Sequence, residues 1–425
     1  MYRLLHHENG PIAFSLDDGD SVTNRFTVVL GPNGRGKSQL LRSIAENYRN
    51  GEASEDSSSP FEAESRLEGG PSCLLVVSNM VMDVFTNTTQ NRGRYRYLGL
   101  RQASNNSSTG SLRDATVGAM LECFGDPRRV GLLNPVLAAM HVKQCSVTIT
   151  RTKKRSQREL KTFEVLQRFV TSLERASERR RATSIDALEA ELRDLSDIAS
   201  SQSVSHNLDS EELGRFWHIC ARFDFSPTDL VRLMRRFDGT DISIRLHFDE
   251  RLVHIDDLSA GQLLFLSTFA RVAANVEPHS LIVVDEPETG LHPNWQSAWI
   301  PLMRETLPAA LGCHIFLATH SPYIVSDADD VLVPGEKWGT FVPFDEPFRG
   351  RSVENILYRV FSARIAGNLM VERDLTVLAQ FISHQDEIRS DKAKVRDAIS
   401  RLEEFSGQDT EHINSIIQQA TRLML

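Results

Sequence analysis

Phe26-Thr27-Val28-Val29-Leu30 runs without a break into Gly31-Pro32-Asn33-Gly34-Arg35-Gly36-Lys37-Ser38, and this junction decides the fold. A continuous run of apolar and β-branched residues suits a strand buried on both faces, as in a parallel sheet covered by helices. The octapeptide fits GxxxxGK[ST]. Its glycines let the backbone turn so that successive N–H groups point at one anion. Leu40, Leu41 and Ile44 continue at helical spacing, so the loop ends at a helix N-terminus, which adds positive potential. This order makes a phosphate cradle from Gly31, Pro32, Asn33, Gly34, Arg35, Gly36, Lys37, Ser38 and Gln39. Lys37 would reach β- and γ-phosphates, and Ser38 would ligate Mg²⁺.

Three further motifs follow. Leu281-Ile282-Val283-Val284-Asp285-Glu286 is a four-residue apolar run ending in two acids, which delivers carboxylates to the C-terminal edge of a sheet. Asp285 is placed to hold Mg²⁺ through water, and Glu286 to orient and deprotonate an attacking water. Leu258-Ser259-Ala260-Gly261-Gln262 precedes a helical stretch. His320 closes another apolar strand, His314–Ala318, in the frame Ala318-Thr319-His320-Ser321-Pro322.

The order of phosphate loop, LSxGQ, apolar strand with DE, and apolar strand with His resembles an ABC-type ATPase head. The resemblance implies ATP as ligand with Mg²⁺, and Lys37, Glu286 and His320 in catalysis. His320 matches the switch histidine that touches γ-phosphate. Ser259 and Gly261 match the signature residues that contact ATP held by a second subunit, so it also implies a homodimer or higher even-numbered assembly. Between Ser38 and Leu258 lie too many residues for an ABC transporter and too little heptad repeat for an SMC arm. The string DEPETGLHP (285–293), with YLGLRQASNNSST (97–109) and the VERDL of 352–375, resembles stand-alone ATPases grouped with OLD and RecF. Many of these serve bacterial anti-phage defence, including the PtuA type of Septu and retron systems. The resemblance departs at three places. His292 replaces the usual aspartate after the acidic pair. No glutamine follows the strand Cys73–Val77 until Gln90 and Gln102. No base-stacking aromatic stands out, since Phe14 and Tyr2 read as core.

Composition sets the outer bounds. The chain has 425 residues, 40% hydrophobic and 25% charged, so it can bury a core without staples. No apolar run approaches 18 residues, so no membrane contact is expected. The N-terminus lacks a signal-peptide layout, and five scattered cysteines without a CxxC pair suit reduced thiols in the cytoplasm. Net charge is −9, so any nucleic-acid contact must be local. One candidate exists: Arg151, Lys153, Lys154, Arg155, Arg158 and Lys161 open the stretch 151–181, whose local net charge is +7. It could track a phosphate backbone, form a solvated helical face, or dock an acidic partner.

The expected architecture is an α/β, ABC-type P-loop head with an inserted helical lobe and a helical C-terminal tail. Its parts are 1–112 (with a mobile insertion at 50–71), a lobe at 113–238, the second half of the head at 239–345, and helices from 346 to 425. Residues 242–254 alternate and read as a hairpin. Glu372 could begin a Toprim-type nuclease motif, but no DxD follows and the stretch reads as a helix start, so no nuclease is expected in this chain. The expected function is ATP-dependent association that regulates a separate effector, such as a nuclease, in anti-phage defence. The alternatives are a RecF- or SMC-like repair ATPase and an ATP-locked scaffold.

Overall fold

The computed structural model describes residues 3–17, 23–53, 70–80, 83–86, 94–99, 109–151, 185–200, 206–344, 369–383, 392–403 and 411–424. The basic run beyond Arg151, Gln90, Gln102, Tyr2 and most of the 50–71 insertion lie outside these residues. The chain divides into two compact units, Met1–Phe344 and Asp345–Leu425.

The first unit is built on a nine-stranded mixed sheet. In chain order its strands are β1 (His6–Asn9), β2 (Ile12–Ser15), β3 (Arg25–Leu30), β4 (Leu74–Ser78), β5 (Tyr95–Tyr97), β10 (Leu281–Asp285), β11 (His314–Thr319), β12 (Asp330–Pro334) and β13 (Thr340–Pro343). Their spatial order is β1-β2-β13-β12-β3-β11-β10-β4-β5. The six strands from β12 to β5 are mutually parallel. The runs read as buried strands are so: every residue of β3, β4, β10 and β11 is buried. Register aligns Ser78, Asp285, Ala318 and Val29 across four adjacent strands. The loops that follow β3, β10 and β11 therefore leave one edge of the sheet side by side. Ligands bind at such carboxyl edges in open α/β sheets.

Strands β6 (Gln144–Arg151), β7 (His206–Asn207), β8 (Thr240–His247) and β9 (Leu252–His254) make a second, antiparallel sheet in the order β7-β6-β8-β9. The β8–β9 hairpin matches the alternating reading of 242–254. Strand β6 departs from the helical lobe expected at 113–238. Its partner for all eight residues is β8, about a hundred residues downstream, so local sequence alone does not reveal it.

The helices of this unit are α1 (Lys37–Ala53), α2 (Thr109–Gly125), α3 (Ile185–Ser200), α4 (Ser210–Arg222), α5 (Pro227–Asp238), α6 (Ala260–Asn275) and α7 (Trp299–Thr306), beside shorter turns. Leu188, Leu192 and Leu195 of α3 are buried, as their 4-3 spacing predicts. Helix α2 packs against both α5 and α6. Gly118 makes the first of these approaches possible: a Cβ there would stand 2.7 Å from Thr228 Cα.

The second unit comprises α8 (Leu369–Ser383), α9 (Lys392–Glu403) and α10 (Glu411–Met424) around Leu378, Phe381, Val395, Ala398, Leu402, Ile417 and Ala420. The VERDL stretch begins α8, as the helical reading expects. Asp374 is tied to Arg401 by two hydrogen bonds, at 2.8 and 2.9 Å.

Candidate active site

Glycines at the end of β3 shape the phosphate loop. Gly34 and Gly36 adopt φ of +78° and +91°, values that L-residues with a Cβ resist. Gly31 admits the Pro334 ring, which a Cβ would meet at 2.7 Å. Trp338 lies on the other side of the loop, in the β12–β13 turn. Its Nε1–H donates to Gly34 O at 3.1 Å, and its ring lies against Gly36. Trp338 is nevertheless 51% exposed.

Lys37 is buried and donates from Nζ to Gly31 O at 2.9 Å and Pro32 O at 3.3 Å. Burial lowers its pKa, while Glu286, Glu288 and Asp285 favour the charge. Ser38 Oγ donates to Asp285 Oδ1 at 3.0 Å. Burial pushes the Asp285 carboxyl up to about 6 despite that bond. Hydroxyl and carboxylate oxygens this close fit a hard cation such as Mg²⁺. Asn33, Gly34 and Arg35 are exposed at the tip of the loop.

Glu286 follows β10 with φ of +49°, a conformation that costs a non-glycine residue about 1–3 kcal/mol. Its own N–H donates to Ala318 O at 2.9 Å and its C=O accepts from Thr289 N–H at 3.2 Å, so both sides of the strained peptide are tied. Burial first, and then the Glu288 carboxyl, raise its pKa. His320 reaches it from β11, with Nδ1 at 2.6 Å from Glu286 Oε2. The structure thus brings together Lys37, Ser38, Asp285, Glu286 and His320.

Glu288 joins them, although in sequence it is only one more acid within DEPETGLHP. Its Oε1 accepts from His320 N–H at 2.8 Å and lies 3.1 Å from His320 Nδ1. Only the register of β10 and β11 brings these residues together.

Ser259 and Gly261 lie at the N-terminus of α6. Ser259 is the N-cap: its Oγ accepts from Gln262 N–H, and Gln262 Oε1 accepts from Ser259 N–H, a capping box. Gly261 lies against Gly290, whose O a Cβ would meet at 2.5 Å. His292 caps the next short helix through Nδ1, which accepts from Asn294 N–H at 3.3 Å. After β4, Asn79 is buried, and its Oδ1 accepts from Thr268 Oγ1 at 3.3 Å and from Arg271 of α6 at 3.4 Å. Phe14 is core, 5.4 Å from the Phe316 ring.

Comparison with known proteins fits this geometry. Residues 178–326 match the family described as "AAA domain, putative AbiEii toxin, Type IV TA system". The match takes in the signature, Asp285-Glu286 and His320. Over those residues the chain is similar to an AAA domain. Over 115 residues it is 29% identical to Protein ea59 of Escherichia phage lambda, which covers 24% of this chain and 22% of that protein. Among solved structures, the ADP conformation of an ATP-binding cassette of an ABC transporter aligns with 84% of this chain and 96% of its own. Identity there is 15% and the TM-score 0.30. An Smc head domain from Pyrococcus furiosus, bound to the C-terminal domain of ScpA, covers 81% and 96% at 12% identity and TM-score 0.30. Among the described residues, no helix is long and apolar enough to cross a membrane.

Proposed function

We propose that this chain binds and hydrolyses ATP, and that ATP-dependent association of two or more copies regulates a separate effector in bacterial anti-phage defence. The observation that carries the hydrolytic part is the convergence of Lys37, Ser38, Asp285, Glu286 and His320 at one sheet edge. Lys37 and the loop amides would hold the phosphates. Ser38 and Asp285 would hold Mg²⁺, which when bound offsets charge on the phosphate oxygens. Glu286, tied at both sides of its backbone, would orient a water and take its proton. Ser259 and Gly261 would meet the ATP of a second copy through the α6 N-terminus.

The defence reading draws on the DEPETGLHP string and on a family description that names a toxin. The effector would be a nuclease or another toxic protein on a separate chain. A RecF-like repair role is the second reading, favoured by the +7 charge of 151–181.

Glu286→Gln should bind ATP with Mg²⁺, hydrolyse it poorly, and shift to a larger species on gel filtration. Phosphate release at the wild-type rate would remove Glu286 from this role. Capture of the Glu286→Gln assembly from the native host, read by mass spectrometry, separates the two outputs. A co-purifying toxic effector supports regulation. Nucleic acid with repair proteins, and ATP turnover that DNA stimulates and Lys153→Glu weakens, supports the RecF-like role.

A further inference from the structure

Glu288 is a buried acid, 5% exposed, that the chemistry above does not use. It sits in the turn after β10, two residues beyond Glu286. One of its oxygens faces His320 twice: it accepts the backbone N–H at 2.8 Å and lies 3.1 Å from ring Nδ1. The same Nδ1 is 2.6 Å from Glu286 Oε2. Glu288 thus staples the turn after β10 to the turn after β11.

We propose that Glu288 is a positioning residue for hydrolysis, one that fixes the backbone and ring of His320 against Glu286. The inference rests on the ATPase reading of the site. Three observations carry it. First, His320 is half exposed, with a side chain 51% accessible, so the head's packing alone does not fix its ring. Second, both groups near Nδ1 are carboxyl oxygens, and an ionised carboxylate there draws the ring proton to Nδ1 and leaves Nε2 for a ligand. Third, the remaining Glu288 oxygen, Oε2, is buried with no hydrogen-bond partner among the described residues. An unsatisfied buried carboxyl oxygen costs stability, and such costs gather where geometry serves function. An apolar residue would fill the same space without that cost, but it could not receive the His320 N–H.

The test is steady-state ATP hydrolysis by the full chain carrying Glu288→Gln, His320→Ala, or both. Glutamine keeps the size and one acceptor but loses the charge that orders Nδ1–H. Glu288→Gln should lower kcat by about 10²-fold, the scale of a misplacement near 1 Å, and leave the KM for ATP within about twofold. In the His320→Ala background the same change should cost less than about threefold, because its object is gone. Multiplying losses, a KM that rises with kcat intact, or an unchanged kcat would each overturn the proposal. Glu288→Asp, with the charge kept but set back by one methylene, should fall between wild type and Glu288→Gln, and serves if glutamine disturbs folding. If the wild-type chain releases no phosphate, the ATPase reading itself fails. The ring then decides: ¹⁵N signals of His320 should report Nδ1–H in wild type and shift in Glu288→Gln, and an unshifted ring would overturn the positioning role.

Discussion

Ser38 Oγ and Asp285 Oδ1 are hydrogen-bonded at 3.0 Å across 247 residues of sequence. The bond marks where a cation would sit, and it leaves a carboxylate in a poorly solvated place. Burial pushes that carboxyl up to about 6, whereas in the unfolded chain it titrates near about 4. Between those values the folded protein binds the extra proton, so stability falls as pH rises through the window and stays lower above it.

Asp285→Asn removes that charge. The nucleotide-free variant should melt at a higher temperature than wild type at pH 8, with the gap narrowing by pH 5. Mg²⁺-dependent nucleotide binding should be lost. Calorimetry at the two pH values, with a nucleotide titration, checks both, and equal melting temperatures at pH 8 would contradict the first.

Arg113 of α2 is buried among three carboxylates. It bonds Asp256 at 2.8 Å, Asp241 at 2.5 and 2.9 Å, and Asp114 at 3.2 Å, with Arg235 of α5 bridging Asp114 and Asp241. Asp256 lies in the 3₁₀ turn that leads into Ser259. Burial holds Asp114 up to about 6. Arg113→Met should cost about 3–5 kcal/mol at pH 8, the scale for breaking one partner of a buried pair. The loss should shrink at pH 5, where Asp114 takes a proton. Urea unfolding at the two pH values reads this, and a loss that grows toward pH 5 would reverse the argument.

Trp338 is exposed yet bonded to Gly34 O. Nucleotide entering the phosphate loop must alter the surroundings of that indole. ATP should change the protein's tryptophan fluorescence, and Trp338→Phe should abolish most of the change. Trp299 is buried and Trp295 is stacked on Phe265, so neither should respond as strongly. An undiminished signal in Trp338→Phe would place the reporter elsewhere.

Gly118→Ala should destabilise the first unit by about 1–3 kcal/mol, since its new methyl group meets both the hydroxyl and the backbone of Thr228 where α2 crosses α5. Thr228→Ala should recover only part of the loss, because the clash with the backbone of residue 228 remains. Full recovery in the double variant would mean that the hydroxyl alone sets the spacing.

What could be read from sequence follows from where each residue sits. The phosphate loop, Asp285-Glu286 and His320 each end a continuous apolar run, so strand and site announce one another. Glu288 reads as one more solvated acid in a turn, and only pairing with a strand 30 residues on makes it a partner of His320. Trp338 reads as a surface turn between glycines, and it meets the phosphate loop across 304 residues. Strand β6 alternates over Gln144–Arg151 but is flanked by helical stretches, and its partner β8 is distant. In each case local pattern is informative where a strand is buried on both faces, and silent where tertiary pairing supplies the meaning.

The neighbours of β3 are β11 and β12, and both lie near the end of the first unit. During synthesis the phosphate loop therefore leaves the ribosome nearly 300 residues ahead of the strands that clamp its own. Pairing at such separation is slow, since long loops must close before it pays back. A nascent chain that stops before His314 would expose both edges of β3, apolar and unpaired, which is an aggregation hazard. The candidate site can therefore assemble only after β11 and β12 have been translated, and a chain that stops earlier would expose itself to chaperones or proteases.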